Sequence, residues 1–527
     1  MTPKNMKSKI SMMQLLLAVM AAFQLIPPVA FAASPGITGP NFKLVASPAH
    51  ISQPDGNFVY SWGYGCDGAP SNYAPAAISG TFCDVMQVPA PTLIVTQGDT
   101  VTVQLRNNLP NAAGNTSILF PGFSVTASGG VPGLLTQEAQ SAGCSTALCN
   151  VVTYTFTAST PGTRAYYSGT QGDLQVEMGL YGAIIVLPAT VPASCTSGIH
   201  AKNVSAQQSH HESDYRLATA AYNHPGACYD REYLFQFSEM DPRIHREAEQ
   251  QSARTCTGCM NVATEPYAPA YFMVNGRSMP DLMDPNYARE YPHQPYNGDP
   301  HMHPGELTLL RIIGQGRWQH PFHEHGNHVR VLARDGNLIL SESDPNSLAG
   351  PALFTTTTTP GQAMDGIYYW TGKGLNWDAY GHKPGSSDPN AVLPCTPDSN
   401  GYNTNDPAAI NYFEWCQDHN KPLEAAPFGD VAGGGPATLP NPNLFVNGAW
   451  FGGSPYLGPN ATVRAVGTTG TTPPSGTIGN SPTEEAGFAF MWHSHNEREI
   501  TTNNIFPGGM MMMMLVDSRE FVIDETK

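Results

Sequence analysis

Two short segments of the chain carry the side chains best suited to chemistry. His320-Pro-Phe-His-Glu-His-Gly326 and Met491-Trp-His-Ser-His-Asn-Glu-Arg-Glu499 each place histidines two apart inside apolar, strand-like sequence. On a strand, residues i and i+2 point to the same face. His323 with His325, and His493 with His495, therefore each aim two imidazoles into one space. Imidazole pairs of this kind suit copper, zinc or iron. Four of them meet the need of a stable site for three or four protein ligands. The competing reading is a hydrogen-bonded polar cluster without metal. Glu324 and Glu497, as intervening residues, should face away. His320, Ser494 and Glu499 have the residue types of a hydrolase triad. Trp-His-Ser-His, however, lacks the glycines of a nucleophile elbow.

Other segments signal less. His301-Met-His303 precedes Pro304-Gly305 at a loop-to-strand junction and reads as a solvated loop, with an accessory ligand pair as the alternative. His328 follows the main motif, where a supporting partner of the ligands would sit. Met510 through Met514 form a run whose thioethers suit Cu(I). Strand alternation sends only some of them to one face, and core filling is the better reading. Cys256-Thr-Gly-Cys259 lacks the helical setting of a redox motif and the second pair of a zinc site, which leaves a structural disulfide.

The elements that must position these groups are strands. Thr92 to Leu105 alternates after Gly98, with Val101, Val103 and Leu105 on one face. Val151–Phe156 and Ala183–Leu187 follow, with turns at Gly98-Asp99 and Pro161-Gly162. Further along, Glu232–Phe237, Tyr271–Gly276, Glu306–Ile313, Val329–Leu332 and Asp365–Trp370 are strand-like. Gly487–Trp492 delivers the second histidine pair. Abundant glycine and proline and scarce helical periodicity point to an all-β protein with long loops. Residues 42–188 make a first domain and 189–227 a polar, poorly periodic linker. Residues 228–527 make a second domain, with a loop-rich insertion at about 383–480 and a short strand near Leu444–Gly448.

The N-terminus has the pattern of an export signal over residues 1–32. Lys4, Lys7 and Lys9 precede an apolar run from Met12 to Val29, and Ala30-Phe31-Ala32 forms a cleavage site. No later segment has the uncharged apolar run of a membrane span. Ten cysteines agree with a secreted or periplasmic location. Spacing suggests Cys66 with Cys83, Cys144 with Cys149, Cys256 with Cys259 and Cys395 with Cys416. Cys195 with Cys228 would close the remaining pair. The 25 basic against 42 acidic residues give an acidic surface, which argues against nucleic acid as a partner.

His-Pro-x-His-x-His-Gly followed by His-x-His resembles the C-terminal copper domain of multicopper oxidases. The resemblance covers roughly residues 90–188 and 230–516. It implies two cupredoxin-like Greek-key β-sandwich domains and copper as cofactor. By position it gives His320 to the type 1 copper, His323 to type 2, and His325, His493 and His495 to type 3. Ser494 stands where the family has its copper-ligating cysteine, and Glu499 where it has a histidine. A serine hydroxyl cannot form the copper–thiolate bond of a blue centre. In the first domain, Leu119 and Pro121 occupy one histidine pair and Tyr167 and Gly169 the other, while Gly179-Leu-Tyr-Gly182 fits the family again. The resemblance implies an exported copper oxidoreductase, and the residues imply a divergent one with a reduced, mononuclear copper site. If active, it is a copper-dependent oxidoreductase acting on a small molecule or metal ion, not a standard four-copper laccase. The rival from another class is a non-catalytic copper-binding or extracellular structural protein. Nothing in the sequence decides against a homo-oligomer.

Overall fold

The computed structural model describes residues 34–70, 72–74, 83–373, 395–417, 451–456, 462–463, 478–479 and 487–525. The expected signal at 1–32, the strand near Leu444–Gly448 and most of the 383–480 insertion lie outside these residues.

The fold is all-β. Two five-stranded sheets form the first domain. One runs Gly162–Tyr167, Tyr181–Leu187, Leu93–Thr96, Gly36–Thr38, Tyr73–Ala74. The other runs Phe58–Cys66, Asn41–Ser52, Thr100–Asn107, Val151–Thr157, Thr126–Gly129. Val101, Val103 and Leu105 are all fully buried, as their alternation requires. They share one core with Leu93, Val95 and Ile184 of the facing sheet, which makes the pair a sandwich.

The second domain repeats the plan. In one sheet Arg231–Met240 lies parallel to Leu307–Gly314, and Ala363–Tyr369 and Val329–Arg334 follow. In the other, His301–Met302, Met511–Asp517, Gly487–Ser494, His320–Glu324 and Thr355–Thr358 lie side by side. Phe235, Phe237 and Ile312 of the first sheet pack with Phe322, Phe490 and Trp492 of the second. Met510, Met512 and Met514 join this core, so the methionine run fills space.

The segment between the domains has more structure than its composition suggests. It contains a helix, Gly198–Ser209, whose buried Asn203 and Gln207 bond Asp230 and Glu306 of the second domain. All five expected disulfides are formed: Cys66–Cys83, Cys144–Cys149, Cys195–Cys228, Cys256–Cys259 and Cys395–Cys416. Among the described residues no helix is long and apolar enough to cross a membrane.

Candidate metal centre

Strand register brings the histidines together. His323 stands directly opposite His493 on one side and Thr355 on the other. Directly opposed residues present their side chains to each other. The His323 and His493 rings are accordingly 5.4 Å apart, centre to centre. His325 follows two residues on, with its ring 4.9 Å from that of His323 and 5.3 Å from that of His493. One ligating nitrogen from each of His323, His325 and His493 lies within 4.8 Å of the others. His495 stands at the edge of this group. Its ring is 4.8 Å from that of His323, but its side chain is 53% exposed, with Nδ1 3.8 Å from Glu497 Oε1.

The Nδ1 atoms of these three rings are engaged. That of His493 donates to the Ser494 carbonyl at 2.7 Å, and that of His325 to the Gly452 carbonyl at 3.4 Å. That of His323 bonds the Thr355 hydroxyl at 2.7 Å. A ring nitrogen facing a carbonyl must carry the hydrogen, which leaves Nε2 with its lone pair. Gly452 has positive φ, and a Cβ there would collide with the His325 ring, so only glycine permits this approach.

Electrostatics keep the rings neutral. Burial, followed by the neighbouring rings of His325, His493 and His495, pushes His323 down to about 4. Burial lowers His325 and His493 as well. Neutral imidazoles grouped this closely suit a soft or borderline cation, so the donor set fits copper. Phe354 and Phe451 stand edge-on to His323, each with its ring 5.6 Å away.

His320 does not join this group. The resemblance gives it to a separate copper position, and it lies apart from the three close imidazoles. Three residues before His323 on one strand, it points to the opposite face, toward the core. It is fully buried, with Nδ1 2.9 Å from Glu499 Oε2 and Nε2 3.0 Å from Glu239 Oε2. Burial alone would lower its pKa, but the two carboxylates overcome this and hold it up at about 9. Ser494 shares that face and donates to Glu499 Oε2 at 2.5 Å. Ser494 thus bonds the carboxylate and not His320, and all three residues are sealed from solvent, which removes the hydrolase reading.

His301 and His303 are not in a solvated loop. His303 is fully buried, with Nε2 2.6 Å from Glu212 Oε1 and Nδ1 2.9 Å from the Asp517 carbonyl. His301 Nδ1 lies 2.7 Å from Asp517 Oδ2. Both are held by partners distant in sequence. His328 stacks edge-on against Phe354 at 5.1 Å and lies outside the histidine group. Glu324 faces away from the imidazoles as expected, but into the core, where burial raises it to about 8.

In the first domain, the positions that match family ligands hold none. Leu119 and Tyr167 pair backbone to backbone, and Leu119 packs on Gly169. These three residues line a cleft of about 540 Å³ with Leu134, Leu135 and Pro360.

Residues 84–190 match the family model described as multicopper oxidase. Copper is the cofactor this family implies. No curated protein matches the chain. Among solved structures, the multicopper oxidase mgLAC is 15% identical, covering 90% of this chain and 86% of that one at TM-score 0.43. A blue copper oxidase from Nitrosomonas europaea is 14% identical, with 90% and 85% covered at TM-score 0.43. A copper nitrite reductase from the same organism is 18% identical, with 63% and 84% covered at TM-score 0.37.

Several contributors to the site escape sequence reasoning. Thr355, Gly452, Phe354 and Phe451 belong to segments that pair with the motif only after folding. The threonine run at 355–358 is the only local hint, as a β-prone stretch.

Proposed function

We propose that this chain is an exported copper-binding member of the multicopper oxidase family, a divergent oxidoreductase with one reduced copper site. His323, His325 and His493 would hold the ion, with His495 beside them. The observation that carries this reading is the convergence of three neutral imidazoles with their second nitrogens already engaged. Copper, when bound, supplies one-electron redox chemistry. The chain's own contribution is to fix the rings, keep them unprotonated and wall one side with Phe354 and Phe451. Export rests on the N-terminal pattern and on five disulfides, which persist only in oxidising surroundings.

Metal analysis of purified protein, with visible and EPR spectra, tests this reading. The expected result is about one tightly bound copper per chain, by ligand count. Three coppers per chain would overturn it. Oxygen reduction to water takes four electrons, and one copper delivers a single electron per event. Oxidation of phenols or dyes coupled to water formation should therefore be slight, and robust laccase-like turnover would restore a multi-copper assignment. Leu119 packed on Gly169 favours a second reading, a non-catalytic copper-binding or extracellular structural protein. Slow oxidation of a metal ion or small reductant, lost in a His323→Ala/His493→Ala variant, would decide against that second reading.

A further inference from the structure

His320 sits where three separate parts of the second domain meet. It opens the strand His320–Glu324, which carries His323. Ser494 lies between His493 and His495 and ends the adjacent strand. Glu499 belongs to the short turn Glu497–Ile500 that follows. Glu239 comes from Arg231–Met240 in the opposite sheet. All four side chains are at most 1% exposed.

Both ring nitrogens of His320 face a carboxylate oxygen, at 2.9 Å and 3.0 Å. An ionised carboxylate only accepts, so each nitrogen must carry a hydrogen and the ring is a cation. The carboxylates have further donors. Glu239 Oε1 accepts from the backbone N–H groups of Arg317 at 2.7 Å and Trp318 at 2.9 Å. Glu499 Oε2 accepts from Ser494 Oγ at 2.5 Å, and Oε1 from Asn496 Nδ2 at 2.9 Å. Such charge-assisted bonds are strong in a dry interior, and a buried ionic group is stable only when this fully paired. A doubly protonated imidazole has no lone pair for a metal.

We propose that His320, held between Glu239 and Glu499 and linked through Glu499 to Ser494, is a metal-free cationic clamp that positions both histidine pairs of the candidate metal centre. The inference rests on the proposed copper site. The clamp joins the strand bearing His323 to the strand and turn bearing His493 and His495, and ties both to the facing sheet. His493 Nδ1 donates to the carbonyl of Ser494, the residue whose hydroxyl the clamp holds. A change in the clamp should therefore reach the ring orientation of a ligand it does not touch.

Copper competition titrations and EPR on the full chain, with His320→Gln and Ser494→Ala, test the clamp. Residues that orient ligands usually cost 10- to 100-fold in metal affinity when replaced. His320→Gln should retain the same copper stoichiometry, bind roughly 10-fold or more weakly and show altered EPR parameters. Ser494→Ala, which removes the bond to Glu499 and the one the hydroxyl accepts from the Asn496 N–H, should keep the fold and shift both readouts the same way by less. Metal-free wild-type protein should show two slowly exchanging ring N–H resonances by NMR that vanish in His320→Gln. Unchanged affinity and EPR in Ser494→Ala would overturn the positioning role even if His320→Gln fails to fold. Loss of a second copper in His320→Gln would make His320 a ligand, and absence of the paired ring resonances would overturn the cation. Wild-type protein that takes up no copper would overturn the positioning role and the proposed function together, while the ring resonances would still decide the clamp.

Discussion

His320 and His323 are three residues apart on one strand, and the fold puts them in opposite electrostatic states. His323 faces other imidazoles and is pushed down to about 4, with burial the largest cause. His320 is also buried, but two carboxylates hold it up at about 9. Desolvation acts on both in the same direction, so the partners decide the outcome. Buried imidazoles that face mainly one another stay neutral and offer lone pairs, whereas an imidazole between acids becomes a cation and offers none. One strand thus carries the face of the candidate metal centre and a charged structural face, separated only by the pleat.

The largest expected effect breaks the first half of that contrast. Replacing His323 and His493 together by alanine removes the directly opposed pair and leaves His325 with the half-exposed His495. Tight copper binding should be lost, as measured by equilibrium dialysis with metal analysis. Retention of wild-type affinity would mean that ligands arrive from elsewhere in the chain.

The second effect sharpens the contrast through pH. His320 has a folded-state pKa raised from the usual 6.5 to about 9. Its stabilising contribution is therefore full below about 6.5 and is lost as pH rises through about 9. Glu324 is raised by burial from 4.5 to about 8. The native state again binds the extra proton across that window, so stability falls as pH rises here too. The two groups act in the same direction and predict weakening on the alkaline side. Each contributes a slope of up to about 1.4 kcal/mol per pH unit within its window. Urea unfolding of metal-free protein at a series of pH values should show this decline. Glu324→Gln should flatten the part between about pH 4.5 and 8, and His320→Gln the overlapping part between about pH 6.5 and 9. A decline that neither substitution alters would assign the effect to other groups.

Much of this arrangement was legible in the sequence, and where it was not the reasons are physical. The buried faces of Thr100–Asn107 and Gly487–Ser494 follow from period-2 alternation. The same rule separates His320 and Ser494 from the imidazole face, since both lie an odd number of residues from His323 and His493 respectively. The resemblance likewise gives them to a copper position apart from that of His323 and His493, and the pleat agrees with that separation. The buried state of His303 was not legible, because its partners Glu212 and Asp517 are 91 and 214 residues away. Nor was Glu239, which reaches His320 from the opposite sheet across 81 residues. Hydrophobic periodicity shows which face is buried, but it does not say which distant acid will be found there.

A smaller effect distinguishes the two members of the second histidine pair. His495 is half exposed and outside the set of three mutually close nitrogens, whereas His493 is inside it. His495→Ala should weaken copper binding by a few-fold, less than the roughly 10-fold or greater loss expected for His493→Ala. Equal losses, measured in the same competition titration, would place His495 in the ligand set on the same footing.

The smallest expected effect concerns colour. An intense blue band needs a thiolate bound to copper in a site that also offers neutral imidazole. Restoring the sulfur with Ser494→Cys supplies one part of this. The new side chain would lie on the core face, against Glu499 and beside a His320 that both carboxylates keep protonated. Those neighbours provide a carboxylate and a cation, and no free imidazole nitrogen. Copper-loaded Ser494→Cys protein should therefore remain without an intense blue band, like the wild type, in its visible spectrum. A strong band in the substituted protein would mean that His320 gives up its proton to copper when a thiolate is available. The clamp would then be a metal site waiting for one ligand, and the division of the strand into a ligand face and a charged face would fail.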